Sequence, residues 1–287
     1  MKDKVILAGC GYLGEYIGDM LLKKRCDLSI IKVCRSVKRE QFSIKNIIRD
    51  FDKEEIDLQF INNSTVIYMA PPSTISDKDD RISNFINNSK GLNINKMIYI
   101  STSGVYGDCG GKLVDEDKKV SPMTKRAKRR VSAEKQLIDY SIENNIKLII
   151  LRVPGIYGKG RLPLKRVKER EALVNKDESR TTNIIHVEDL ARICTASIFL
   201  DKNMEIINVS DGNPIKTTTY YEHVYKATDT KLPKYITYKE AMNIYSEKRL
   251  SFLKESRILD VEKMKRIFPG CIKHLDSYKS IRQCLDL

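Results

Sequence analysis

The run Val5-Ile6-Leu7-Ala8-Gly9-Cys10-Gly11-Tyr12-Leu13-Gly14 constrains the fold of this chain more than any other stretch. Four consecutive apolar residues suit a strand buried on both faces, the environment of a parallel sheet. Three glycines in G-x-G-x-x-G spacing follow without a linker, and a helical pattern over Tyr12–Lys24 opens directly behind them. Each glycine has a separate task in such a strand-turn-helix. Gly9 permits the tight turn, Gly11 keeps the backbone open to a bound group, and Gly14 lets the helix settle on the strand. Amides at the head of the helix lack intrahelical partners and carry the positive end of the helix dipole, so the turn attracts phosphate.

The first half of the chain continues the alternation. Strands are predicted at Val5–Ala8, Leu28–Val33, Asn46–Arg49, Thr65–Met69, Lys96–Ile100 and Lys147–Leu151, and the clearest helices at Tyr12–Lys24, Asp79–Asn87 and Lys125–Glu143. This order implies an α/β fold, a Rossmann doubly wound parallel sheet. Residues 1–155 are read as the dinucleotide-binding domain. Beyond the glycine- and proline-marked loop Pro154–Pro163, helices are expected at Leu162–Lys168, Val187–Leu200, Thr217–Ala227, Lys239–Lys248 and Val261–Ile267, with a short strand at Ile206–Val209. Residues 156–287 are read as mainly a small C-terminal α/β subdomain on the substrate side, with segments returning to the sheet.

Gly9, Gly11, Tyr12, Leu13 and Gly14 are the expected holders of a dinucleotide's pyrophosphate. A carboxylate about 20 residues further on would bind the adenine ribose and select NAD. That place falls at Cys34, and no acid occurs from Leu28 to Lys38; the segment reads Cys34-Arg35-Ser36-Val37-Lys38-Arg39. Arg35, with Ser36 beside it, suits a ribose 2′-phosphate through its forked donors. NADP(H) is therefore expected in preference to NAD(H), which stays open, and Asp50-Phe51 is placed at the adenine.

Composition narrows the partners. No run of about 18 apolar residues occurs among the 287, so no membrane span or membrane partner is expected. Seven scattered cysteines without a CxxC pair, and three histidines without ligand spacing, argue against a disulfide framework or a metal site and for a reducing, cytoplasmic setting. The net charge of +14 suits phosphate-bearing partners such as cofactors, nucleotide-linked substrates or nucleic acid, but a solvated lysine-rich surface accounts for it more simply. Nucleic acid is not expected, because the basic run Lys125–Arg130 has no aromatic residues interleaved. A homodimer is compatible with this reading.

Further segments align with the glycine turn: Tyr68-Met69-Ala70-Pro71-Pro72, Ser101-Thr102-Ser103-Gly104-Val105-Tyr106-Gly107, Leu151-Arg152-Val153-Pro154-Gly155-Ile156-Tyr157-Gly158 and Ile185-His186-Val187-Glu188-Asp189-Leu190-Ala191. In this order the chain resembles the extended short-chain dehydrogenase/reductase superfamily of epimerase/dehydratase-like proteins. The resemblance implies that Ala70, Pro71, Pro154 and Gly155 border the nicotinamide ribose. It also implies that Thr102, with Ser103 beside it, holds the catalytic hydroxyl place.

The superfamily's Tyr-x-x-x-Lys pair is missing, as in its atypical branch. Arg126 and Arg130 stand where the tyrosine and lysine belong, and no tyrosine lies between Gly107 and Asp139. Arginine stays protonated and cannot act as a general acid or base, though it can clamp an anion. Arg126, Arg130 and Arg161 are therefore candidates for holding the substrate, with Tyr106 and Tyr157 as alternative proton carriers beside Thr102. Two functions remain. One is an NADP(H)-dependent oxidoreductase or epimerase/dehydratase-like enzyme acting on a carbonyl or carbinol carbon, nucleotide sugars included. The other is an NADP(H)-binding sensor without chemistry.

Overall fold

The computed structural model describes residues 3–24, 27–36, 43–246, 249–250 and 253–286. They form two compact units. The first comprises Met1–Val105, Pro122–Arg152 and Leu190–Ile207; the second comprises Tyr106–Ser121, Val153–Asp189 and Asn208–Leu287.

The first unit is organised by a seven-stranded sheet. Its strands are β1 (Lys4–Ala8), β2 (Ser29–Cys34), β3 (Lys45–Ile48), β4 (Ser64–Tyr68), β5 (Ile94–Thr102) and the strands Lys147–Val153 and Met204–Asn208. From one edge the order is Met204–Asn208, Lys147–Val153, β5, β4, β1, β2, β3. Pairings among β1 to β5 are parallel. This is the expected doubly wound α/β sheet, with its order reversing between β1 and β4. Ala8 pairs with Val33 on one side and Tyr68 on the other, so the carboxyl ends of β1, β2 and β4 open at one level. Val5, Ile6, Leu7 and Ala8 are all buried, as their unbroken apolar run requires.

Helix α1 (Tyr12–Lys24) packs Leu13, Ile17 and Leu21 inward at four-residue spacing, with Gly14 and Gly18 on the same face. Burying each of those three side chains stabilises the fold by roughly 1.5–3 kcal/mol. Helices α2 (Asp80–Ser89) and α3 (Lys125–Glu143) are each capped by the preceding side chain. Asp79 accepts from the Ile82 amide and Thr124 from the Ala127 amide. A cluster of Phe51, Tyr68, Phe85 and Tyr99 fills one face of the sheet, with ring centroids 5.1–6.1 Å apart.

β5 is longer than the sequence pattern predicts. It begins at Ile94, and Lys96 is buried within it because its ammonium donates to the carbonyls of Ile198 at 2.6 Å and Leu200 at 2.7 Å. A strand lysine thus satisfies the open carbonyl end of the helix Val187–Ile198.

The second unit uses short ladders. Gly155–Tyr157 pairs parallel with Ile184–His186, Leu173–Val174 with Tyr235–Ile236, and Leu113–Val114 with Ile258–Leu259. Thr181–Thr182 pairs antiparallel with Ile215–Lys216. Tyr157, Val167, Leu173, Val224, Tyr225 and Ile281 form its main core. No helix among the described residues is long and apolar enough to cross a membrane.

Candidate functional site

A crevice opens in the first unit at the carboxyl ends of β1, β2 and β4. It is lined by Gly9, Cys10, Gly11, Val33, Cys34, Arg35, Ser36, Arg49, Asp50, Phe51, Ala70, Pro71 and Arg81, and measures about 210 Å³. Six expected cofactor residues therefore share one site: Gly9, Gly11, Arg35, Ser36, Ala70 and Pro71. Tyr12 and Leu13 open α1 beside them. The volume is below the roughly 300–1,000 Å³ of a full small-molecule pocket, so the crevice encloses part of a dinucleotide.

The glycines divide their work as the motif requires. Gly9 has φ +74°, and a Cβ there would lie 2.5 Å from the Ala70 amide nitrogen and 2.6 Å from its Cα. At Gly14 a Cβ would meet Cys10 Sγ at 2.6 Å. Gly11 differs: the nearest atom to an added Cβ is the Gly9 carbonyl oxygen at 4.0 Å, so the space over it is open. Cys10 N–H donates to the Val33 carbonyl at 2.8 Å, and Glu15 N–H to Gly11 at 3.1 Å, which ties the turn to β2 and to the helix. The residues present thus fit a dinucleotide diphosphate, with a cradle that a side chain at position 11 would fill.

Arg49 and Arg81 were not singled out in the sequence. Arg49 follows β3 directly and ion-pairs with Asp57 at 2.9 Å, while Arg81 pairs with Asp52 through two nitrogens and donates to the Pro71 carbonyl. The rule that ligands sit beyond the carboxyl ends of parallel strands could have flagged Arg49. Arg81 lies inside α2, and no local signal marks it. Arg35 and Ser36 are exposed at the crevice; Val37, Lys38 and Arg39 lie outside the described residues.

Thr102 ends β5, half-buried, and its Oγ1 accepts from the Gly104 amide at 3.2 Å; Ser103 is buried. Below them Ser101 donates to Glu134 at 2.5 Å, and Glu134 pairs with Arg152 at 2.8 Å, both side chains 5% exposed. This buried chain fixes the strand end that carries Thr102.

The two arginines on α3 part company. Arg126 is exposed, whereas Arg130 is buried and donates to the Tyr99 hydroxyl and the Ile100 carbonyl. Arg130 is therefore corrected from a substrate clamp to an interior residue, because it stands one turn deeper along α3, where the Tyr99 hydroxyl and the Ile100 carbonyl of β5 hold its guanidinium.

In the second unit Tyr106 is buried and donates to Asn208 Oδ1 at 2.7 Å. Tyr157 is buried too, and burial pushes its phenol well above the ordinary value against a weaker downward pull from Ser280. Both hydroxyls are buried. Gly155 is exposed, Pro154 half-buried and Arg161 exposed. A polar cavity of about 270 Å³ was not foreseen; Gly110, Gly111, Arg180, Lys216, Tyr238 and Ser256 contribute to its walls. Its residues are scattered over the sequence, which hid them. His186, Glu188 and His274 place ligand-type atoms within 4.8 Å of one another. The imidazoles stack 3.7 Å apart at 22°, however, so their in-plane lone pairs run side by side rather than converge on an ion. His274 Nδ1 instead meets Asp189 at 2.8 Å.

Sheet order, glycine turn and crevice define a Rossmann α/β protein of the dinucleotide-binding type. The model of the NAD dependent epimerase/dehydratase family matches residues 5–210, and the chain belongs to that family. Comparison with curated proteins gave no match. Among solved structures, a functionally unknown conserved protein from Silicibacter pomeroyi is similar with a TM-score of 0.82 at 22% identity, covering 99% of this chain and 98% of that one. UDP-N-acetylglucosamine 4-epimerase from Methanobrevibacter ruminantium, in complex with UDP-N-acetylmuramic acid, gives 0.78 at 18%, covering 99% and 97%. UDP-glucuronic acid 4-epimerase from Bacillus cereus, in complex with UDP-glucuronic acid and NAD, gives 0.78 at 18%, covering 99% and 98%. At these identities the likeness establishes the fold.

Proposed function

We propose that this chain is an NADP(H)-dependent oxidoreductase or epimerase-like enzyme acting on a carbonyl or carbinol carbon of an anionic substrate, with nucleotide sugars the first class to try. The observation that carries it is the open space over Gly11 at the head of α1, inside a crevice edged by Arg35. The amides of that turn hold the diphosphate, and Arg35 reads the 2′-phosphate where Cys34 replaces the acid that would favour NAD. When bound, the nicotinamide supplies hydride transfer. Thr102 then orients the substrate oxygen by a hydrogen bond. The UDP-sugar complexes of the two epimerases that share the fold support this substrate class.

The interior position of Arg130 and the missing tyrosine on α3 favour a second reading, a dinucleotide sensor without turnover. One experiment separates them: NADPH and NADP⁺ turnover over panels of carbonyl compounds and nucleotide sugars. Turnover that falls on Thr102→Val supports the enzyme. Tight cofactor binding with no turnover across both panels supports the sensor.

A further inference from the structure

Lys32 lies in the middle of β2 and is 1% exposed, between the buried Ile30, Ile31 and Val33. Its stem passes over Gly18 of α1, where an added Cβ would sit 3.1 Å from Lys32 Cε and 3.6 Å from Nζ. A helical glycine costs about 1 kcal/mol relative to alanine, and here it makes room for the lysine. The ammonium ends 2.6 Å from Glu15 Oε2. The other oxygen, Oε1, accepts the Cys10 thiol at 3.7 Å, and Cys10 is part of the glycine turn. Burial, then Glu15, pushes that thiol up to about 12, so it stays a protonated donor. Glu15 stands in the first turn of α1, directly behind the amides that would hold a diphosphate. An unmatched carboxylate there would repel the same anion that the helix end attracts.

We propose that Lys32 is a positioning residue for diphosphate binding: it neutralises Glu15 behind the glycine turn. The role rests on the dinucleotide reading given above and adds a residue to it that lies outside the crevice lining.

The test is a charge cycle. NADPH and NADH are titrated by fluorescence, at low and high salt, into the wild type, Lys32→Met, Glu15→Gln and the double variant, with a thermal melt of each. Lys32→Met weakens binding about tenfold, less at high salt. Glu15→Gln stays within about threefold of the wild type, and the double variant returns to that range because no charge remains to be matched. A lysine that served packing alone would lower the melting temperature and leave the affinities of the folded variants equal, which would overturn the proposal. Should Lys32→Met not fold, the double variant decides: a tenfold loss there would overturn it, and near-wild-type affinity would support it. Failure of the wild type to bind any dinucleotide would instead overturn the dinucleotide reading itself.

Discussion

Arg130 donates to the Tyr99 hydroxyl at 2.9 Å and to the Ile100 carbonyl at 2.8 Å, with its guanidinium carbon 5.4 Å from the Tyr99 ring centroid. The cation that follows the missing tyrosine by one helical turn is thus part of the core. Hydrogen bonds to a charged group contribute about 1.5–3 kcal/mol each, and a stranded buried partner adds a desolvation cost. Arg130→Met is expected to lower stability by about 2–3 kcal/mol in urea unfolding while leaving NADPH affinity unchanged. Arg126→Ala, exposed in the first turn of α3, stays within about 0.5 kcal/mol. Lost dinucleotide affinity at full stability in Arg130→Met would contradict the interior role.

Asp211 titrates in the second unit. Burial raises its carboxyl to about 7, helped by Asp189 and opposed by the Asn213 amide. The folded state therefore holds a proton that the unfolded chain releases near the ordinary carboxylate value. Stability from this group is fully present below that ordinary value and is lost as pH rises toward 7. Asp211→Asn keeps an acceptor for the Asn213 amide and removes the titration. It should flatten the fall in melting temperature between pH 4 and 7 and be the more stable protein at pH 8, by at most about 4 kcal/mol. Parallel pH profiles for the two proteins would refute this.

Arg35→Asp restores a carboxylate close to where an NAD-type crevice carries one. The expected outcome is weaker NADPH binding, by about tenfold or more, and gained NADH affinity, read by paired titrations. An unchanged NADPH-to-NADH ratio would remove Arg35 from the 2′-phosphate role.

The sheet was legible where residues are buried on both faces, since Val5–Ala8 and Val66–Tyr68 are unbroken apolar runs. It was less legible where a charged residue is buried against a specific partner. Lys96 looks like a strand boundary until the carbonyls of Ile198 and Leu200 are in place around it, and Lys32 gives no hint of Glu15. The glycine turn could be read because its chemistry is local. Arg126 and Arg130 share a helical face by their spacing, yet spacing does not say how deep that face sits, and one turn separates surface from core. Arg81 and the walls of the second unit's cavity depend on residues far apart in the chain, beyond the reach of local pattern.

Gly9 and Gly11 offer the sharpest contrast in the molecule. Gly9→Ala forces a Cβ into the Ala70 backbone at a positive φ and should lower stability by about 2–3 kcal/mol. Gly11→Val meets open space and should leave the melting temperature nearly unchanged. The decisive measurement is an NADPH fluorescence titration of wild type and Gly11→Val, each checked by thermal melt. Saturable binding by the wild type and none by an equally stable Gly11→Val is the result expected from a backbone cradle for the diphosphate. Equal binding by both proteins would contradict it.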